Sequence, residues 1–147
     1  MTDGRQFSTF VVDGYLFGVP VIHVQEVIRH QEMTSVPLSP ETVGGLINLR
    51  GQIVMAIDLR RRLDFAPRAD GELPMNVVVK TEDGAVSLLV DKIGDVVEID
   101  DDRFETPPDT LQGVARDLID GVYKLDEGLL LSLDVNLATH IPVAATA

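Results

Sequence analysis

Apolar residues in this chain fall in short runs separated by glycine, proline and acidic turns. The densest run, residues 43–63 (VGGLINLRGQIVMAIDLRRRL), organises the rest. It reads as a strand, a tight turn at Arg50-Gly51, a second strand over 52–58 and a short cationic segment. Ile53, Val54, Met55, Ala56 and Ile57 are apolar without alternation, which predicts a strand covered on both faces in the middle of a barrel or sandwich. Gly51 supplies the positive φ of a two-residue turn, and Gly44-Gly45 lets backbone pass close to backbone. Arg50 is therefore expected at the tip of a rigid hairpin with its guanidinium outward.

The other runs are weaker versions of this pattern. Residues 7–12 and 15–21 flank Asp13-Gly14, a strong hairpin signal. Val24, Val27 and Ile28 stand at helical spacing and predict one or two helical turns, or else a bent strand. Pro37 and Pro40 mark a loop. Residues 64–74 (DFAPRADGELP) read as a linker. Strands follow over 75–81 and 85–90 around the turn Glu82-Asp83-Gly84. Residues 98–103 form an acidic loop, Thr106-Pro107-Pro108 halts regular structure, and strands over 118–125 and 129–134 make a last hairpin. A turn of helix is expected after Asn136.

The two halves resemble each other. A shift of 69 lays Val19, Val21, Val24, Glu26, Val27 and Ile28 over Leu88, Val90, Ile93, Asp95, Val96 and Val97. A shift of 76 lays Val43, Gly45, Leu46, Leu49, Ile53, Ile57, Asp58 and Leu59 over Ile119, Gly121, Val122, Leu125, Leu129, Leu133, Asp134 and Val135. Each half then holds about five short strands, and two small packed barrels are the economical way to cover their edges and apolar faces. Positions that match are expected to be core or turn residues. Asn48-Leu49-Arg50-Gly51 corresponds to Lys124-Leu125-Asp126-Glu127, a cationic tip against an anionic one, so the fold does not dictate that choice.

Composition narrows the function. With 24 acidic and 12 basic residues among 147, the net charge is −12, which disfavours nucleic acid and anionic bilayers and favours a protein partner with local positive charge. Cysteine is absent, so thiolate chemistry and disulfides are excluded. The polar start and the lack of a long apolar run predict neither a secretory leader nor a membrane span, hence a cytoplasmic protein. No phosphate loop, nucleophile elbow or aromatic stacking platform is visible.

Among individual residues, Glu26 reads as a solvated acid or a partner contact. Arg50 reads as a partner contact or an intramolecular bridge, to Glu26 or an aspartate, and both roles can hold together. His23, Glu26 and His30 would share a face of a helix, but no second ligand cluster appears, so no metal is expected. Arg60, Arg61 and Arg62 fit charge at the end of a short helix better than an anion patch. Asp58 and Asp134 repeat and read as caps.

Four segments, VQEVIR (24–29), GLINLRGQIVMAIDLR (45–60), LLVDKIGDVVEI (88–99) and GVYKLDEGLLLSLDV (121–135), occur in the order and spacing that resemble the CheW family of chemotaxis coupling proteins. The resemblance spans residues 7–137 as a single domain and implies a mostly β fold of two SH3-like five-stranded barrels with short helices, with lobes mixed in sequence at roughly 15–65 and 80–137, and a tail over 138–147. It implies a non-enzymatic scaffold, without cofactor or metal, joining methyl-accepting chemoreceptors to a CheA-type histidine kinase. Carried over by motif, receptor contacts are expected at Val24, Glu26, Val27, Asn48, Arg50 and Gly51, and kinase contacts around Val86, Leu88 and Asp95. The short C-terminal end and the basic Arg60-Arg61-Arg62 run depart from the family pattern. A small-barrel protein that binds a small ligand or hydrolyses one is the alternative.

Overall fold

The computed structural model describes residues 5–100 and 104–140. Their strands are β1 (Arg5–Val12), β2 (Tyr15–Pro20), β3 (Val24–Ile28), β4 (Val43–Leu49), β5 (Gln52–Asp58), β6 (Met75–Thr81), β7 (Gly84–Val90), β8 (Lys92–Ile99), β9 (Ile119–Leu125) and β10 (Gly128–Leu133). Three short helices accompany them: α1 (Leu59–Arg62), α2 (Val114–Asp117) and α3 (Val135–Thr139). A 3-10 turn, Val21–His23, links β2 to β3.

The strands form two five-stranded sheets, ordered β8-β1-β2-β10-β9 and β3-β6-β7-β5-β4. Shifting residue numbers by the repeat turns one order into the other, strand for strand. The lobes are mixed in sequence: one sheet draws on residues 5–20 and 92–133, the other on 24–58 and 75–90. Each sheet takes its β1–β2 or β6–β7 hairpin from one repeat and its last three strands from the other, through the parallel pairs β2–β10 and β5–β7. Two hairpins have in effect changed places, which ties the repeats into one body.

The repeat extends to irregularities. The β4–β5 ladder slips between Val43 and Gly45, and the β9–β10 ladder between the equivalent Ile119 and Gly121. At the slip, Gly45 adopts φ +151°, and a Cβ there would stand 2.8 Å from the Thr34 carbonyl oxygen, so the close approach of backbones requires glycine. Asp58 and Asp134 cap α1 and α3, accepting hydrogen bonds from the backbone N–H of Arg60 and Leu137 at 3.1 and 3.0 Å. Sequence had marked both as caps.

The expected barrels are sheets whose ladders do not close. Each sheet instead has one isolated bridge at its β4 or β9 edge, Thr34 to Leu46 of β4 and Phe104 to Tyr123 of β9. The largest core cluster draws Phe10, Phe17 and Val19 from one sheet and Ile57, Val77 and Leu88 from the other, so the sheets share an interior. Two satellite clusters flank it, and they too are repeats: Ile47 and Val54 stand where Tyr123 and Leu130 stand in the other sheet.

Of the two readings of residues 24–28 the strand holds and the helix does not, because pairing with β6 satisfies backbone groups that an isolated turn of helix would leave open. One expectation fails. Strand β5 is not covered on both faces: Ile53 is 61% exposed although β5 lies between β7 and β4. Its apolar run is continuous because one face meets the core and the other lines a groove.

Candidate functional site

Three local features place Arg50. The β4–β5 turn puts Arg50 at φ +53° and Gly51 at φ +88°. Asn48 Oδ1 accepts the Gly51 N–H at 2.9 Å, fixing the turn from its N-terminal side. Asn48 and Gly51 therefore have structural work within the tip. Arginine is not a residue that left-handed backbone favours, in contrast to asparagine, aspartate or glycine, so its presence at this φ is a local cost without a folding reason.

Glu26 comes from β3, on the edge of the same sheet. A slip in the β3–β6 register between Val24 and Glu26 leaves Gln25 unpaired with β6. Below it, the buried Asn76 donates to the Arg29 carbonyl at 3.1 Å and accepts from Ser87 at 2.7 Å, anchoring the strand exit.

Strand edge and hairpin tip meet in a two-pronged ion pair. Arg50 Nη1 donates to Glu26 Oε2 at 2.6 Å and Nη2 to Oε1 at 3.0 Å. The hydrogen bond from Arg50 holds the Glu26 carboxyl below the usual carboxylate range, and Glu26 in turn raises the guanidinium. The Glu26 side chain is mostly covered, whereas that of Arg50 is 77% exposed. Glu26 thus orients a guanidinium that still offers donors to a partner.

The other residues singled out by sequence divide sharply. Val27 is 37% exposed beside Glu26, while Val24 packs against the main core. Leu88 is completely buried in the core and Val86 nearly so, which removes Leu88 as a contact surface. Its apolar character served packing between β6 and β5. Asp95 is exposed on the edge strand β8, in the other sheet from Val86. His23 and His30 do not share a helical face with Glu26, since β3 replaces the helix, and no group of three metal-ligating side chains occurs among the described residues.

Arg60, Arg61 and Arg62 stand in the last turn of α1, the short helix expected after Asp58, and each also reaches a partner outside it. Arg60 grips Asp91, at 2.7 Å through Nη2, and approaches Asp13 at 3.5 Å. Arg61 pairs with Glu41 at 3.3 Å. Arg62 donates to the carbonyls of Ala138 and Leu137, both at 2.9 Å, so it caps α3 of the other repeat, and burial lowers its guanidinium.

Sequence reading missed the partners of this network. Arg68, from the supposed linker, bridges Asp91 at 3.0 Å and Asp58 at 3.2 Å. Burial pushes the Asp91 carboxyl up, but the hydrogen bonds and charges of Arg60 and Arg68 and the Asp13 N–H outweigh it and hold it low. Only the fold brings residues 13, 58, 60, 68 and 91 together, and no local motif announces them.

A tip arginine held by an edge-strand glutamate is the arrangement that the VQE and NLRG segments carry. The CheW-like domain family model matches residues 6–141. The chain belongs to the CheW-like family. The chemotaxis protein CheW of Treponema pallidum (strain Nichols) is 27% identical over 135 residues, covering 89% of this chain and 79% of the relative. That of Bacillus subtilis (strain 168) is 28% identical over 133 residues, covering 90% and 85%. The crystal structure of the scaffolding protein TtCheW from Thermoanaerobacter tengcongensis superposes with a TM-score of 0.83 at 25% identity, over 97% of this chain and 95% of that one. Membership places the chain among chemotaxis scaffold and adaptor proteins. No helix among the described residues is long and apolar enough to cross a membrane.

Proposed function

We propose that this CheW-like protein is a non-enzymatic adaptor that couples the cytoplasmic tips of methyl-accepting chemoreceptors to a CheA-type histidine kinase. The observation that carries the receptor half is Arg50: exposed, held in unfavourable backbone, and oriented by Glu26 at a tip whose repeat mate is Asp126. Val27, beside Glu26, adds apolar area to the same contact, and Val24 supports it from within. A receptor helix offering carboxylates or terminal carbonyls would complete the guanidinium's hydrogen bonds.

The kinase would use a second surface, reached through exposed Asp95 and the rim above Val86, with Leu88 only as packing beneath. Open SH3-like barrels, each with one bridge at its β4 or β9 edge, would keep the two surfaces in fixed relation. The acidic balance of the chain, −12, fits protein partners in the cytoplasm and opposes nucleic acid or direct membrane insertion.

Arg50→Asp should abolish binding of purified receptor tips in titration calorimetry while leaving kinase binding and the far-UV circular dichroism spectrum unchanged. Undiminished receptor binding by that variant would remove Arg50 from the contact.

A further inference from the structure

Strand β3, which carries Glu26, is held to its sheet by a short ladder. Beyond the slip at Gln25 the pairs are Glu26 with Val78, Val27 with Val77 and Ile28 with Asn76. The repeat mate of that last pair is Val97 with Phe7, where the ladder between β8 and β1 runs on through Glu98 with Gln6 and Ile99 with Arg5. In β3 the ladder ends at Ile28, and on the β6 side the mate of Arg5 is Pro74, which has no N–H to give.

A side chain takes over at that point. Asn76 Nδ2 donates to the Arg29 carbonyl at 3.1 Å, just past the last pair, and Asn76 Oδ1 accepts from Ser87 Oγ at 2.7 Å. Both residues are completely buried. The fold does not require polarity there. The mates of Asn76 and Ser87 are Phe7 and Gly18, an apolar pair in which a Cβ on Gly18 would stand 3.2 Å from that of Phe7. A buried amide needs its partners, so the polar version fixes which carbonyl of the strand exit lies over Asn76, and with it the register of β3. A shift by one residue would turn Glu26 to the other face of its strand, away from Arg50.

We propose that Asn76, oriented by Ser87, is a positioning residue for the Glu26–Arg50 pair, acting from the core by pinning the register of β3. Its hydrogen bonds go to Arg29 and Ser87 and to neither side chain of the pair. The slip precedes Glu26 along the strand and the anchor follows it, so the anchor is what holds the carboxylate opposite the hairpin tip. The consequence for a partner rests on the proposed receptor contact at Arg50, whereas the positioning itself is read in the chain alone.

The test follows the Glu26 carboxyl by carbon-13 NMR through a pH titration of the full chain without partners. In the parent, the hydrogen bond from Arg50 holds its midpoint below the usual carboxylate range. Asn76→Leu, which fills the same space without an amide, should raise the midpoint toward that of Arg50→Ala, with the circular dichroism spectrum unchanged. Ser87→Ala, a milder change that still reads out if Asn76→Leu does not fold, should raise it part of the way. Leu88→Ala, a loss of core without a polar contact, should leave it in place. A midpoint unmoved in every folded variant of Asn76 and Ser87, or moved equally by Leu88→Ala, would overturn the proposal. Binding of purified receptor tips should weaken several-fold in Asn76→Leu. A raised midpoint with undiminished binding would uphold the positioning and remove Arg50 from the receptor contact.

Discussion

The chain passes from one sheet to the other twice, at Val21–His23 and at Asp91, and the repeat makes these passages equivalent. At the first, Ile22 projects into solvent, 78% exposed, and the 3-10 turn has no side-chain cap. At the second, the residue in the place of Ile22 is Asp91, with its carboxylate between Arg60 and Arg68 and its backbone N–H bonded to the Val11 carbonyl at 2.9 Å. One passage is carried by backbone alone; the other is clamped by charges from β5, α1 and the segment after it. The same division appears elsewhere: matched positions fold the lobes, and unmatched charges distinguish their surfaces.

Removing the clamp should have the largest effect on stability. Asp91→Ala strands two guanidiniums that are mostly covered, and a loss of about 2–4 kcal/mol in urea unfolding is expected. At the equivalent passage Ile22→Ser should change stability by no more than about 0.5 kcal/mol. Similar losses at both sites would erase the distinction between the passages.

Acid should weaken the clamp next. The Asp91 carboxyl is held low in the folded state, so its contribution is complete above the ordinary carboxylate range and disappears as pH falls through the depressed folded value. The difference in melting temperature between the parent and Asp91→Ala should stay constant near neutrality and shrink in strong acid. A difference that grows on acidification would reverse the assigned sign.

The paired caps sharpen the comparison at smaller scale. Asp134→Ala should cost about 1 kcal/mol, the usual value of a helix cap. Asp58→Ala should cost more, because Asp58 also receives Arg68. Equal costs in chemical denaturation would show that the Arg68 contact adds nothing.

The smallest stability change is expected at the tip. Exchanging the charges, Glu26→Arg with Arg50→Glu, keeps a pair at an exposed corner and should barely move the melting temperature. Receptor binding should nevertheless be lost, since the partner-facing sign is reversed. Retained binding would mean that the pair matters as a brace and not as a contact.

Sequence by itself determined the strands, turns and repeat of this protein. Hairpins at Asp13-Gly14 and Arg50-Gly51, caps at Asp58 and Asp134, and the Glu26–Arg50 pair are legible because each rests on local backbone preference or on a motif of a few residues. Tertiary structure alone decided that the repeats exchange hairpins, that Leu88 is core while Ile53 is surface, and that Arg68 belongs to Asp91 and not to a loose linker. An apolar β-branched or aliphatic residue looks the same in sequence whether its strand faces a core or a groove. An arginine in a proline-rich stretch carries no sign of a carboxylate 23 residues away. Burial and charge pairing depend on which strands become neighbours, and that is settled only when the two parallel pairs, β2–β10 and β5–β7, join distant parts of the chain.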